Sequence, residues 1–335
     1  MNKPFGGVLS TMACAAMVLA PAPSVAEWYQ DKQQIMGTQV SVSLWSDDAS
    51  LGRSAVNGVM AIMRGVDNRL SSYIETSELA ILNQTAFDAP VRLSDELRFL
   101  YEQSQAAYTL TEGAFDITYA SIGRLYNYRE KRAPSPQQID ALLPALNTAL
   151  LAYDEKAQTL RFLHPDVAID LGGIAKGYAV DLAIDYLKAQ GIENAYIGAG
   201  GDSRVLGDRG GRPWLIGIKN PRLQRGDKHE TVITLPLENV AVSTSGDYER
   251  FFIDEAGQRI HHIINPKTGR SASQVMSVTI LGERGVRTDP LSTAVFVLGV
   301  QKGIRLIDKL PDYDAIIIDR AGQVHYSNGL MPPAS

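Results

Sequence analysis

Apolar and polar positions change period several times along this chain, and each change marks an element. Residues 27–45 alternate in part, which predicts strands on either side of Met36-Gly37-Thr38. From Gly52 to Leu70 the apolar positions Val56, Val59, Met60, Met63, Val66 and Leu70 fall near helical spacing. Ser77 to Asn83 reads as a short helical turn, and Ser94 to Tyr108 as a helix capped by Ser94. Ser135-Pro136-Gln137-Gln138 supplies an N-cap, a proline at the first helical position and a glutamine at the third. Val167 to Leu171 reads as a short apolar strand with Asp170 embedded in it. After Gly172-Gly173, the residues Ile174, Tyr178, Leu182 and Tyr186 trace an amphipathic helix that ends at Gly191. A strand follows at Ala195 to Ile197. Further strands are predicted at Trp214 to Lys219, Glu230 to Leu235, Val240 to Thr244, Arg250 to Asp254, Ile260 to Ile264 and Val275 to Leu281. Pro290 to Gly299 reads as a late helix. The pattern predicts an α+β fold of mixed or antiparallel sheets with packed helices.

The N-terminus changes the picture. Lys3, an apolar run from Phe5 to Ala20, and the small residues up to Ala26 describe a secretory signal peptide over residues 1–26. Cleavage after Ala26 leaves 335 − 26 = 309 residues. The remainder, 27–335, is long enough for one domain, or for two intimately packed subdomains. Cys14, the single cysteine, falls inside the removed segment. Its removal with the signal is favoured over lipidation, which would tether the protein to a membrane. The expected location is the periplasm. A mature chain without cysteine has no disulfide, thiolate nucleophile or thiolate metal site. Loss of Lys3 moves the formal charge from −5 to −6, an acidic balance unsuited to nucleic acid.

Three segments carry candidate chemistry. Gly172-Gly173 opens a helix with Lys176 in its first turn, an arrangement that can hold an anion on backbone amides; a tight turn with an exposed lysine reads the same way. The spacing is not that of a P-loop. Thr288-Asp289-Pro290-Leu291-Ser292-Thr293 places Asp289 as an N-cap before Pro290, with Ser292 and Thr293 beside it. Such an oxygen cluster suits Mg2+, or simply caps its helix. In an extended Ile260 to Ile264, His261 and His262 face opposite ways, so they do not share one metal. His164, His229 and His325 lack companions at ligand spacing, so no zinc site is expected.

Taken together these pieces resemble the ApbE family, the FAD:protein FMN transferases. The resemblance rests on Met36-Gly37-Thr38, Ser72-Tyr73 with Ser77-Glu78-Leu79, Gly113-Ala114-Phe115-Asp116, and Asp170-Leu171-Gly172-Gly173-Ile174-Ala175-Lys176-Gly177-Tyr178. It continues through Gly200-Gly201-Asp202, Thr244-Ser245-Gly246-Asp247-Tyr248, His262 to Gly269, and Thr288 to Thr293. It implies an ApbE-like, T-fold-related architecture. It further implies a flavin site lined by Met36, Tyr73, Ala114, Phe115, Asp116, Asp170, Lys176 and Ile263. Asp289, Ser292, Thr293 and the Gly173 carbonyl would hold Mg2+, and His262 or Asp289 would take the proton. Asn265 stands where the family usually has aspartate, Pro290 where it has alanine or glycine, and Tyr126-Asn127-Tyr128 where a tryptophan-rich stretch is common.

The implied reaction moves FMN from FAD to a threonine or serine hydroxyl of an exported acceptor, such as a membrane redox-complex subunit, and releases AMP. Hydrolysis of FAD to FMN and AMP would use the same site. A non-catalytic flavin-binding accessory protein and a periplasmic solute-binding module are the readings outside that chemistry.

Overall fold

The computed structural model describes residues 27–222 and 230–331. Residues 1–26, read above as a signal peptide and containing Cys14, and His229 lie outside them. Eight strands form one antiparallel sheet: β1 (Glu27–Ile35), β2 (Thr38–Ser46), β3 (Ala195–Ala199), β4 (Asp202–Leu206), β5 (Ala241–Gly246), β6 (Val275–Gly282), β7 (Asp314–Asp319) and β8 (Val324–Tyr326). Their order across the sheet is their order along the chain. In β2, Val40, Val42 and Leu44 are buried at alternate positions, which is the period of a strand with one face on a core. The β1–β2 link is the two-residue turn Met36-Gly37, both with positive φ, in the register Ile35 opposite Thr38.

Three long helices cover one face of this sheet: α1 (Ala49–Leu70), then α3 (Ala175–Ala189) and α4 (Gly285–Ile307). The helix Asp95–Leu110, which we label α2, packs beside α4. On the opposite face the hairpin Trp214–Lys219/Thr231–Leu237 buries Ile218 against Val242, Met276, Leu281, Ile316 and Ile318. The architecture is therefore α+β, as its periodicities predict. Two caps fall where the sequence puts them: Ser94 accepts from the Leu97 amide at 3.2 Å, and Ser135 with Gln138 completes a capping box. The helix predicted from Gly52 starts three residues earlier, at Ala49, because Asp48 accepts from the Ser50 and Leu51 amides.

Three expectations are corrected. Val167 to Leu171 is not a strand. Side chains take its backbone bonds: Asn83 bonds both the amide and the carbonyl of Ile169, and Ser121 accepts from the Ala168 amide. Ile260 to Ile264 breaks after His261, whose ring nitrogen accepts from the Ile263 amide at 3.3 Å; Ile264–Asn265 then pairs with Arg270–Ser271. The late helix begins at Gly285 and runs to Ile307, with Gly299 at φ 75° marking a kink. Asp289 is consequently inside that helix and does not cap it.

What begins α4 is Asp181 of α3. Its buried carboxylate accepts from the Gly285 amide at 2.9 Å and the Val286 amide at 3.0 Å. Asp289 of α4 reciprocates, accepting from the Gly177 amide in the first turn of α3 at 3.0 Å. Each helix thus satisfies orphan N–H groups of the other. The exchange requires near contact of backbones, since a Cβ on Gly177 would run into the Gly285 carbonyl, and one on Gly285 into that of Gly177.

Alanine at Gly177 should therefore destabilise. Helix propensity favours alanine by about 1 kcal/mol, but the overlap with an immovable backbone costs about 3 kcal/mol. A net loss of about 2 kcal/mol in urea unfolding is expected; unchanged or raised stability would contradict the close crossing.

Candidate functional site

The crossing of α3 and α4 faces the Gly172-Gly173 turn. Lys176 reaches back across that turn: its ammonium donates to the Gly172 carbonyl at 2.8 Å and sits 3.0 Å from Asp202 Oδ2 and 3.4 Å from Asp289 Oδ2. One helical turn past Asp289, the Ser292 hydroxyl donates to the Asp289 carbonyl and lies 2.8 Å from Ser245 Oγ. Thr293 Oγ1 lies 3.3 Å from the same Ser245 oxygen. A Cβ built on Gly173 would lie 3.4 Å from Thr293 Oγ1 and 3.1 Å from the Phe115 ring. Gly173, Phe115, Lys176, Asp289, Ser292 and Thr293, scattered in sequence, are therefore neighbours.

The electrostatics of this cluster are unbalanced. One ammonium faces two buried carboxylates. Burial raises the Asp289 pKa above the ordinary carboxylate range, and the charge of Asp202 raises it further, against Lys176 and the Gly177 amide. Burial works against the Lys176 charge, but Asp202 and Asp289 outweigh it and hold its pKa up. The ammonium stays charged, and the site holds one more carboxyl group than cation, an imbalance that a second cation would relieve.

Around this centre the other sequence-predicted residues sort into two groups. Asp170 accepts from Ser72 Oγ at 2.6 Å, Tyr119 Oη at 2.8 Å and the Gly172 amide at 2.7 Å, so it fixes the glycine turn. Met36, in its hairpin turn, donates its amide to Asp67 at 2.9 Å. Arg250 links that turn to the histidine segment: its guanidinium donates to the Gly37 carbonyl and its carbonyl accepts from the His262 amide. Tyr73 is 84% exposed. Three residues are committed elsewhere. Asp116 is buried and spends Oδ1 on the Thr118 amide and the Thr118 and Thr148 hydroxyls. The side chains of Ala114 and Ile263 pack in the core.

The two histidines part company. His261 is buried with Nε2 2.6 Å from the Ala272 carbonyl, a structural role. His262 is half-buried, and its Nδ1 has no partner among the described residues. Burial first, then the charges of His261, Arg250 and Lys176, lower its pKa to about 3. Its ring is thus neutral at pH 7, with a pKa well below the ordinary imidazole value of about 6.5. Asp202 and Ser245 were given no role by sequence reasoning. Both lie in quoted motifs, and the glycine pair before Asp202 is the only signal that could have marked it.

These oxygens fit a hard divalent cation. Asp289 Oδ2 is engaged, while its Oδ1 has no donor among the described residues. The Ser292 and Thr293 hydroxyls, on the next turn of α4, meet at Ser245 Oγ, and the open face of Gly173 beside Thr293 leaves a cradle that a Cβ would fill. Among the described residues no cluster of three His, Cys, Asp or Glu forms a different metal site.

Comparison with known proteins follows the same lines. The ApbE family model matches residues 36–317. A Vibrio cholerae protein named FAD:protein FMN transferase is 32% identical over 251 residues, 74% of each chain. One of that name from Haemophilus influenzae is 30% identical over 322 residues, covering 92% of this chain and 91% of its own. The crystal structure of the ApbE protein of Thermotoga maritima superposes with a TM-score of 0.83 at 33% identity, covering 90% of this chain and 98% of that one.

The neutral histidine sets a pH dependence. An unfolded chain protonates His262 near pH 6.5, whereas the folded one resists until about pH 3. Its contribution is complete above about pH 6.5 and is lost as pH falls through that window. Urea midpoints should therefore drop more between pH 7.5 and 5.5 in the wild type than in His262→Gln. Equal drops would mean the ring titrates normally in the fold.

Proposed function

Because this chain belongs to the ApbE family, we propose that it transfers FMN from FAD to a threonine or serine hydroxyl of an exported acceptor protein, with Mg2+, releasing AMP. The observation that carries this reading is the meeting of Lys176, Gly172 and Asp289 within hydrogen-bonding reach, with Thr293 against Gly173.

Asp289, Thr293, Ser292 and the Gly173 carbonyl would hold Mg2+, which when bound neutralises pyrophosphate charge and aligns its oxygens. The chain supplies the rest. The Gly172-Gly173 turn brings backbone close to the diphosphate, and the first turn of α3 presents its dipole. Lys176 adds a positive charge already oriented by Asp202. Asp170, through Ser72, Tyr119 and the Gly172 amide, keeps the turn in that shape. Met36, Tyr73 and Phe115 would border the flavin, with Ala114, Asp116 and Ile263 shaping the wall behind it. The acceptor oxygen forms a bond to the FMN-side phosphorus as the bond to the AMP oxygen breaks. The hydroxyl proton passes to the His262 ring, which is neutral and keeps an unpartnered nitrogen, Nδ1. A dianionic ligand would raise the basicity of that ring from its value in the free protein. Asp289, as a carboxylate with a raised pKa, is the alternative acceptor of the proton.

Asn265 keeps its turn without the family's charge: its side chain accepts from the Lys267 amide at 2.9 Å, and its carbonyl from Thr268 and Gly269. Its role is that of a turn former. Pro290, inside α4, offers no amide to the Val286 carbonyl, a local cost at the turn that carries Asp289. Residues 1–26 would direct the protein to the periplasm, where subunits of membrane redox complexes are the acceptors.

Incubation with FAD, Mg2+ and a threonine-bearing acceptor should leave FMN attached to the acceptor after denaturation. FMN released free would make the enzyme a hydrolase of FAD instead, and no AMP under any condition would make it a flavin-binding protein. Asp289→Ala and Thr293→Val are expected to abolish transfer in a folded protein. His262→Ala is expected to slow transfer about 100-fold with little change in FAD affinity. Equal losses in rate and affinity would reduce His262 to a binding residue.

A further inference from the structure

The Lys176 ammonium is a cation already seated in the site. It contacts three oxygens, and of its two carboxylates Asp202 is the nearer, at 3.0 Å against 3.4 Å for Asp289. Asp202 is 3% exposed and begins β4, where it pairs with Ala199 on one side and Ser243 on the other. The preceding residue lies tight against β5: a Cβ on Gly201 would strike the Thr244 carbonyl, and the Gly201 carbonyl accepts from the Thr244 amide at 2.8 Å. Asp202 is thus a charge fixed by the sheet, at the point where the lysine could otherwise close fully on Asp289.

We propose that Asp202 is a positioning residue that holds the Lys176 ammonium off Asp289 and so keeps Asp289 available to the divalent cation. This rests on the cation reading above. With Asp202 in place, the lysine is shared between two carboxylates and lies nearer Asp202; Asp289 Oδ1 then has no competing donor among the described residues. Without it, the lysine has a single buried anionic partner, and a buried charge pair of that kind resists separation because each member would be left uncompensated. The lysine would then compete with the metal. As Asp202 also keeps the ammonium in the first turn of α3, the same contact aims it at the anion bound there.

The test uses Mn2+ as probe, with the free ion counted by electron paramagnetic resonance in the purified chain without FAD, across a double-mutant cycle of Asp202 and Lys176. Asp202→Asn should weaken Mn2+ binding about tenfold or more, the range typical of residues that orient a metal ligand. Adding Lys176→Met to it should recover most of that loss, while Lys176→Met alone changes affinity by no more than about threefold. Asp202→Ser, smaller and also uncharged, should give the same pattern and covers the case in which the Asn amide does not fit. Undiminished affinity in both Asp202 variants would overturn the inference. So would an equal effect of Lys176→Met in both backgrounds, which is what summed charge without competition gives. Failure of the wild type to bind Mn2+ would overturn the cation reading itself and this inference with it.

Discussion

The exchange of carboxylates between α3 and α4 is the constraint on which the site depends. Asp181 holds the first amides of α4, and Asp289 holds an amide in the first turn of α3. The two contacts are of one kind, but their consequences differ. Asp181 is also bonded by Arg204 at 2.9 Å and faces Arg284 at 3.2 Å, so its charge is compensated on several sides. Asp289 has one amide and a shared lysine. The fold has taken two helix starts, each in need of an acceptor, and satisfied one with a fully paired acid and the other with an acid that retains unused capacity. That residual capacity, beside a glycine turn and three hydroxyls, is what the proposed metal-dependent phosphate chemistry would use.

The same geometry explains why the site is built from glycines and small hydroxyl residues. Gly177 and Gly285 let the helix backbones touch. Gly173 leaves room between Phe115 and Thr293, and Gly201 lets β4 begin against Thr244. A side chain at Gly177, Gly285 or Gly201 would overlap backbone, and one at Gly173 would crowd Phe115 and Thr293. Burial then sharpens the electrostatics. It raises Asp289, lowers His262, and leaves Lys176 charged only because two acids surround it.

Much of this was legible in the chain. Alternation in Val40, Val42 and Leu44, the helical stripe from Val56 to Leu70, and the caps at Ser94 and Ser135 each map onto an observed element. The resemblance brought Gly173, Lys176, Asp289 and Thr293 to one place. Errors arose where a local rule met a distant partner. Asp289 before proline reads as an N-cap, yet Asp181, more than a hundred residues earlier, starts the helix sooner. Val167 to Leu171 reads as a strand, yet Asn83 and Ser121 satisfy its backbone from another part of the fold. Ile260 to Ile264 reads as continuous, yet the His261 ring ends it. Asp202 carries no local signal of its pairing with Lys176, since nothing in Gly200-Gly201-Asp202 names a partner on another element.

The account is tested most directly by anomalous diffraction from a crystal soaked with Mn2+ and FAD. It predicts one strong peak within bonding distance of Asp289 Oδ1 and Thr293 Oγ1, with the FAD pyrophosphate lying against it and over the Gly172-Gly173 turn. A metal peak away from Asp289, or a pyrophosphate bound away from that turn, would contradict it.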